Sequence, residues 1–154
     1  MNPTIKHSTF INASPQSVYD AVTTSDGLNA WFTTSSEVVA SEGGMIIFRW
    51  KDYGMDKVTI EDGGPVLAAD PPRRFVFQWH PISANKPTTV EMTFSEFGPG
   101  TRVDLVESGY GEAPDDLKAC LNCAVGWGEA LTLLKYYLEQ KDRYMHPCMW
   151  SKLQ

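Results

Sequence analysis

The feature of this sequence that most constrains its fold is the last third, which is predicted to form one long amphipathic helix. Between Pro114 and Gln140, apolar residues recur at the three- and four-residue spacings of one helical face. The first turn reads Pro-Asp-Asp, and a helix start tolerates both the missing amide proton and the negative charge. The predicted apolar face consists of Leu117, Cys120, Leu121, Ala124, Gly128, Leu131, Leu134 and Leu138. A long helix after many strands is typical of a sheet that grips the helix over a cavity.

Two glycines flank Trp127 inside this predicted helix. Gly126 and Gly128 each lower the stability of a helix by about 1 kcal/mol relative to alanine. We therefore predict that another part of the chain approaches the helix backbone closely at this point. A larger side chain at Gly128 would then overpack the core, at a typical cost of about 1–3 kcal/mol.

The preceding residues form short runs with strand-like alternation, separated by turn residues. The predicted strands are residues 4–12, 37–41, 45–53, 57–60 with a continuation at 66–69, 73–79, 88–97 and 101–108. Two short helices are predicted after the first strand, one behind the N-cap Ser14 and one from Ser25 or Asp26 to about Phe32. Asp-Gly-Gly-Pro at 62–65 is predicted to be a turn. Short turns between successive strands favour an antiparallel meander, because parallel strands need long crossovers.

Alternation within three of the strands predicts a sheet with one covered face and one solvated face. The predicted covered face consists of Ile46, Phe48, Trp50, Phe75, Phe77, Trp79, Val90, Met92 and Phe94. This face is unusually aromatic, and a single helix is a narrow cover for it. Either aromatic side chains fill the space at the normal density of a protein interior, or a cavity remains where sheet and helix meet.

The composition indicates a single globular domain and argues against two classes of partner. The chain has 154 residues, 42% of them hydrophobic, and a net charge of −6 without a basic run. Nucleic acid requires a phosphate-neutralising basic surface, so no nucleic-acid partner is expected. No apolar run approaches the ~20 residues that span a bilayer. Met1–Phe10 also lacks the apolar segment of a signal peptide. We therefore expect no membrane partner and a cytoplasmic location.

Three segments, in order along the chain, resemble one protein family. INASPQSVYDAVT followed by Trp31 and Phe32 resembles the opening of a START-like (SRPBCC) helix-grip domain. DPPRRFVFQW at 70–79 and GWGEALTLLKYYLE at 126–139 resemble segments of one branch, the homologues of the activator of the heat-shock-protein-90 ATPase. The resemblance extends from about Ile5 to Gln140.

This resemblance implies both a fold and a range of functions. The fold is α+β, with an antiparallel sheet of six or seven strands wrapped around the last helix and two short helices closing one end. Many members of the superfamily have a hydrophobic ligand cavity. A few eukaryotic members of the branch are co-chaperones, which links the family to the stress response.

No catalytic residue, metal ligand or cofactor site is predicted from motifs. His80 stands at a strand end before Pro81, where a rim position is more frequent than a general base. Glu107 either projects inward beside the aromatic cluster, where it could recognise a polar group of a ligand, or lies in water at a strand end. Asp104 is expected on the opposite, polar face with Arg102.

Cysteine gives one further motif. Cys120 and Cys123 form a C-x-x-C pair, to which His146 and Cys148 could add two zinc ligands. Redox pairs of this type lie at the N-terminus of a helix, whereas this pair lies inside one. We expect two buried helix-face cysteines instead, because free cysteine is among the most buried residue types.

Together these patterns predict a helix-grip domain at residues 1–140 followed by a tail at 141–154. The expected function is non-enzymatic binding of a small, mostly hydrophobic molecule between the sheet and the closing helix. The predicted ligand-binding residues are Trp31, Phe32, Phe48, Trp50, Phe77, Trp79, Met92, Phe94, Trp127 and Leu131. The alternatives are a chaperone-cofactor-like interaction module and an aromatase/cyclase-type enzyme on the same fold. A homodimer is a further expectation.

Overall fold

The computed structural model describes residues 1–144 and confirms the predicted α+β fold. Strand β1 (Ile5–Ile11) is followed by two short helices, α1 (Pro15–Thr23) and α2 (Ser25–Trp31). Six strands come next: β2 (Ser35–Val38), β3 (Met45–Tyr53), β4 (Val58–Asp70), β5 (Arg74–Trp79), β6 (Thr88–Phe97) and β7 (Gly100–Ser108). The long helix α3 (Pro114–Gln140) follows them, with the bounds that its sequence pattern predicts.

The seven strands form one antiparallel sheet in the order β1-β7-β6-β5-β4-β3-β2. From β2 to β7 each strand pairs with the next one along the chain, as the short turns favour. Strand β1 departs from this meander and pairs with β7, which places Ile5 opposite Glu107. Helix α3 lies against β1 and against both short helices. The first strand of the chain therefore lies beside its last strand and its last helix.

The helix starts follow from their capping residues. The Ser17 N–H donates to Oγ of the predicted N-cap Ser14 (3.2 Å), and Pro15 occupies the first position of α1. The Gly27 N–H donates in the same way to Oγ1 of Thr24 (3.0 Å) at the start of α2. Polar side chains at these two positions therefore fix where the short helices begin.

Strand β4 is continuous through residues 62–65, so the turn predicted there is wrong. A Cβ atom on Gly63 would collide with the carbonyl oxygen of Ile46, and one on Gly64 with the carbonyl oxygen of Gln78. The two glycines thus allow close approach of both neighbouring strands instead of a chain reversal. As a result Asp62 occupies a strand position, directly opposite Phe48.

Strand β2 begins at Ser35, two residues before the predicted start at Glu37. The Ser36 side chain is buried, and its hydroxyl donates to Oδ1 of Asn29 (2.9 Å). A polar side chain in an inward position gives no hydrophobic signal. The hydrophobic pattern therefore places the start of this strand too late.

The predicted covered face of the sheet is the core of the protein. Eight of its nine residues are buried, and Trp79 is half-buried. Aromatic rings contact one another across strands; the ring centroids of Phe48 and Phe77, for example, lie 5.6 Å apart. Such contacts add to the stabilisation from apolar burial.

The buried face of α3 differs in part from the predicted one. Cys120, Leu131 and Leu134 are buried as predicted, whereas Leu117 and Leu121 are 44% and 67% exposed. The additional buried apolar residues of α3 are Ala119, Trp127, Ala130 and Leu133. The buried face of α3 thus combines small alanines with the large indole of Trp127. A prediction based on the spacing of leucines therefore places part of the buried face on residues that are exposed.

The close approach predicted at Gly128 is also wrong. The nearest atom that a Cβ would meet there is Cε1 of His7, at 3.9 Å, which is ordinary van der Waals contact. The contact between α3 and β1 here is polar: His7 Nε2 lies 3.3 Å from the carbonyl oxygen of Ala124. Gly128 therefore has room for a methyl group.

Candidate ligand-binding site

A cavity of about 330 Å³ lies between one end of the sheet and helix α3. This volume is within the range of small-molecule sites, roughly 300–1,000 Å³. Its aromatic lining consists of Phe32, Trp50, Tyr53, Trp79 and Trp127. Its aliphatic lining includes Val58, Ile60, Pro81, Ile82, Ala119 and Ala130. Its polar lining consists of Glu61, Asp62, His80, Ser83, Lys118, Asn122, Cys123 and Glu129.

A fully buried carboxylate, Glu107, lies behind two of the lining tryptophans. Its Oε1 accepts hydrogen bonds from Trp79 Nε1 (2.7 Å) and from the Thr88 hydroxyl (2.6 Å). Its Oε2 accepts one from Trp127 Nε1 (2.7 Å). Within residues 1–144 the carboxylate has no ion-pair partner, so these three donors compensate its burial. The single side chain thereby ties β5, β6 and α3 to β7.

Tyr110 and Cys123 lie next to this carboxylate. Burial raises the pKa of the Tyr110 phenol far above its ordinary value, and the charge of Glu107 raises it further. The phenol oxygen is buried without a well-formed hydrogen bond to any described residue. Burial, followed by the charge of Glu107, also raises the pKa of Cys123 to about 12. Both groups are therefore neutral at physiological pH, and neither adds charge to the site.

Asp62 is the second carboxylate of the site and is half-buried on β4. Its Oδ1 accepts hydrogen bonds from the backbone N–H groups of Gly63 (2.7 Å) and His80 (2.8 Å). Burial raises the pKa of Asp62. These two hydrogen bonds and the charge of His80 oppose the rise, and the charge of Glu107 adds to it. Its Oδ2 accepts no hydrogen bond from residues 1–144, and this side chain lines the cavity.

The mouth of the cavity is formed by exposed side chains from the segment after β5 and from α3. His80 lies on this rim, as predicted, and its Nε2 is 2.8 Å from the carbonyl oxygen of Ala84. Ile82 beside it is 62% exposed. Lys118, on the first turns of α3, is exposed as well. The opening is therefore part apolar and part polar, and its residues are exposed to solvent.

A much smaller void of about 20 Å³ lies deeper in the core. Its lining is apolar and shares Phe32, Trp127 and Ala130 with the larger cavity. A space this small with apolar walls gives a water molecule no polar partners. The void is therefore a small apolar space beside the larger cavity.

The predicted ligand-binding residues fall into three groups. Phe32, Trp50, Trp79 and Trp127 line the larger cavity. Trp31, Phe48, Phe77, Met92 and Leu131 line the small void behind it, together with Phe32 and Trp127. Phe94 lines neither space; its ring packs against Tyr19, with ring centroids 5.7 Å apart.

Sequence reasoning missed most of the polar residues of the site. Asp62 was assigned to a turn, and no local signal marks it as inward once the strand is broken there. Glu107 lies inward, in register with Val103 and Leu105 on β7, and that alternation was its signal. Asp104 lies on the opposite face with Arg102, as predicted, and the two side chains form an ion pair (2.9 Å).

Of the C-x-x-C pair, Cys123 lies in the wall of the cavity and Cys120 does not. Cys120 is buried and Cys123 is half-buried, and both are free thiols. In the part of the chain that the structure describes, no three or more His, Cys, Asp or Glu side chains are grouped so that they could hold a metal ion. His146 and Cys148, the other two members of the zinc hypothesis, lie outside the described residues.

Comparison with known proteins identifies the family. A sequence profile of the family described as activator of Hsp90 ATPase homolog 1-like protein matches residues 12–139. The chain belongs to this family, which confirms the resemblance found in its sequence. No curated protein sequence matches the chain significantly. Among residues 1–144 there is no helix with the length and apolar character that crossing a bilayer requires.

Several solved structures share the fold. The Aha1 dimer from Colwellia psychrerythraea has a TM-score of 0.73 and 26% identity, over 89% of this chain and 96% of that one. A Rhodobacter sphaeroides protein has a TM-score of 0.74 and 22% identity, over 89% and 93% of the two chains. CalU16 from Micromonospora echinospora has a TM-score of 0.68 and 21% identity, over 92% and 87%. The last two comparisons concern the fold alone.

Proposed function

We propose that this protein binds a small, largely apolar molecule in the cavity between the sheet and α3. The observation that carries the proposal is a cavity of about 330 Å³ with five aromatic side chains in its wall. Protein interiors normally pack to the density of organic crystals. Retained space beside so many large side chains favours an occupant over a filled core.

The rigidity of the aromatic wall supports the same proposal. The Trp79 and Trp127 rings lie with centroids 5.1 Å apart, and both indole N–H groups are held by Glu107. Side chains that are already fixed lose little conformational entropy when a ligand binds. The two indoles therefore form a preorganised apolar surface.

Titration with the neutral fluorophore N-phenyl-1-naphthylamine tests this function. We expect saturable binding to the folded protein, with quenching of tryptophan emission. Trp79→Ala should weaken binding by about tenfold, since it removes apolar contact worth more than 1.4 kcal/mol. Lys57→Ala, an exposed change, is the control and should bind as the wild type does. A folded protein that gives no saturable signal with this or other apolar probes would contradict the proposal.

Two carboxylates near the cavity bear on whether the site is catalytic. Glu107 is committed to three hydrogen-bond donors. Asp62 keeps one oxygen without a donor from the described residues. General acid–base catalysis usually needs two groups that reach the substrate, and Glu107, held by its donors behind the tryptophans, does not form such a pair with Asp62; this favours binding over an aromatase/cyclase-type reaction. The chaperone-cofactor role and the cytoplasmic location stay predictions.

We also propose that the protein forms a homodimer. The Colwellia psychrerythraea protein of the same fold was solved as a dimer. On this chain, Leu121 and Val125 are 67% and 54% exposed on successive turns of α3, next to Leu117. Exposed apolar stripes of this kind are typical of interfaces. Light scattering of the wild type and of Leu121→Lys tests the proposal. The wild type should have the mass of a dimer, and the variant, with a charged side chain in the interface, should have the mass of a monomer.

A further inference from the structure

We infer that the molecule bound in this cavity is a small organic cation, with a protonated amino group beside Asp62 and an apolar body against the two tryptophans. The inference rests on the proposed function and names the chemical class of its ligand. It is carried by the placement of charge around the cavity, by one carboxylate oxygen without a donor, and by the electrostatics of the aromatic wall.

The inner part of the cavity carries negative charge, which the charge interaction of His80 with Asp62 offsets only in part. Asp62 and Glu107 both replace apolar residues on the covered face of the sheet and lie close enough to repel each other. Neither forms an ion pair with any residue in 1–144. Glu61, at the rim, is paired with Arg49 (2.6 Å). A cation in the cavity would relieve the repulsion between the two inner carboxylates.

The hydrogen-bonding chemistry of Asp62 matches an ammonium group. Both backbone donors are bound to Oδ1, so Oδ2 is available on a side chain that lines the cavity. A protonated amine can donate to this oxygen, and charge-assisted hydrogen bonds are about twice as strong as neutral ones. A carboxylate or phosphate ligand would instead be repelled. Lys118 is the lysine of the described lining, and it is exposed to solvent.

The aromatic wall favours the same charge. The face of an indole ring attracts cations, and tryptophan is the best of the aromatic side chains for this contact. Trp79 and Trp127 both donate their N–H groups to Glu107, at 2.7 Å each. The negative charge held at the N–H edge of both rings adds to the negative potential at their faces. A ligand with an apolar body and a positive end therefore complements the cavity: the body packs against the indole rings, and the positive end lies beside Asp62.

Three ligands of equal size separate charge from shape: phenylbutylamine, which is cationic at neutral pH, phenylbutanol, which is neutral, and phenylbutyrate, which is anionic. Their affinities are measured by calorimetry at neutral pH and low salt. We expect the amine to bind about tenfold or more tighter than the alcohol, the difference that one charge-assisted hydrogen bond gives. The anion should bind most weakly of the three. Added salt should reduce the preference for the amine.

Asp62→Asn is the decisive variant, since asparagine Oδ1 still accepts the two backbone hydrogen bonds while its amide replaces Oδ2. It should reduce the affinity for phenylbutylamine to that for phenylbutanol and leave the affinity for the alcohol unchanged. Glu96→Gln is the matched control. It also removes one carboxylate, but from an exposed position near the end of β6 that lies far along the strand from Thr88, and it should bind all three ligands as the wild type does.

The outcomes distinguish this inference from the proposed function. If the alcohol and the amine bind equally well, or if Asp62→Asn keeps the preference for the amine, the inference is overturned and the proposed function stands. If the folded protein binds none of the three ligands and no neutral apolar probe, the proposed function fails and the inference fails with it.

Discussion

Trp79, at the end of β5, and Trp127, in the middle of α3, face each other with ring centroids 5.1 Å apart and planes tilted by 35°. Both donate to the same carboxylate, Glu107, through hydrogen bonds of 2.7 Å. The shared acceptor fixes the position of the helix relative to the sheet on the side where the cavity lies. Removal of that acceptor is therefore the most direct test of what holds the site together.

Glu107→Gln should lower the free energy of unfolding by about 1–3 kcal/mol. Glutamine has one carbonyl oxygen in place of two carboxylate oxygens, and its NH₂ group would face an indole or hydroxyl donor. At least one buried donor would then lack a partner. Urea unfolding followed by circular dichroism measures the change.

Glu96→Gln serves as the control, since it removes an exposed carboxylate and should leave the urea midpoint within experimental error of the wild type. A Glu107→Gln protein as stable as the wild type, or more stable, would mean that the buried charge costs as much as its three hydrogen bonds contribute.

Gly128→Ala should stabilise the protein by about 0.5–1 kcal/mol, because alanine is the better helix former and its Cβ has room beside His7. The comparison is Gly27→Ala in α2, where a Cβ would lie 2.5 Å from the Asp20 carbonyl oxygen and 2.8 Å from Ala21 Cα. That substitution should lower the thermal midpoint. The changes in stability of the two variants should therefore have opposite signs. A loss of stability in Gly128→Ala would show that α3 packs more closely there than described.

Cys123 should react slowly with iodoacetamide in the folded protein although its side chain reaches the cavity. Burial and the charge of Glu107 raise its pKa to about 12. The thiolate is the reactive form, so the rate at mildly alkaline pH should be roughly a thousandfold below that of the urea-unfolded chain. Mass spectrometry of a Cys148→Ser protein locates the label. Rapid labelling of Cys123 under native conditions would contradict the environment described for it.

The stability of the protein should decline in acid partly through Asp116, at the start of α3. The backbone N–H and the side-chain amide of Asn85 donate to its two oxygens (2.8 and 2.7 Å) and lower its pKa. A lowered pKa in the folded state gives stability that is present above the unfolded value, about 3.9, and is lost as the pH falls through the folded one.

Asp116→Asn should therefore be less stable than the wild type at neutral pH, and the difference should shrink as the pH falls below about 4. Urea unfolding of both proteins across this range measures it. A difference that does not vary with pH would mean that the ionised carboxylate is not the form that Asn85 stabilises.

Much of the fold could be predicted because its signals are local. The period of α3, the N-cap Ser14 and the alternation of β3, β5 and β6 each depend on neighbours within a few residues. The errors arose where a local pattern has two physical solutions. Gly63 and Gly64 suit a turn as well as a close strand contact, and only the neighbouring strands decide between them.

The apolar side of the candidate site could be predicted in the same way, but only part of its polar side could: alternation along β7 allows an inward Glu107, whereas no local pattern marks Asp62. Asp62 and Glu107 belong to the site because β4, β7 and α3 meet there, and no sequence spacing encodes that meeting. The register of α3 failed for a related reason. Ala119 and Ala130 are buried, whereas Leu117 and Leu121, which the leucine pattern places on the buried face, are exposed.

The pairing of β1 with β7 has a consequence for the protein as it is made on the ribosome. Strand β1 is synthesised first, but its partner residues 101–107 come about a hundred residues later. The hairpins from β2 to β6 can form as they leave the exit tunnel, whereas β1 must wait. Trp127 emerges later still, so the binding cavity is completed only near the end of translation, and until then the aromatic face of the growing sheet is exposed to chaperones.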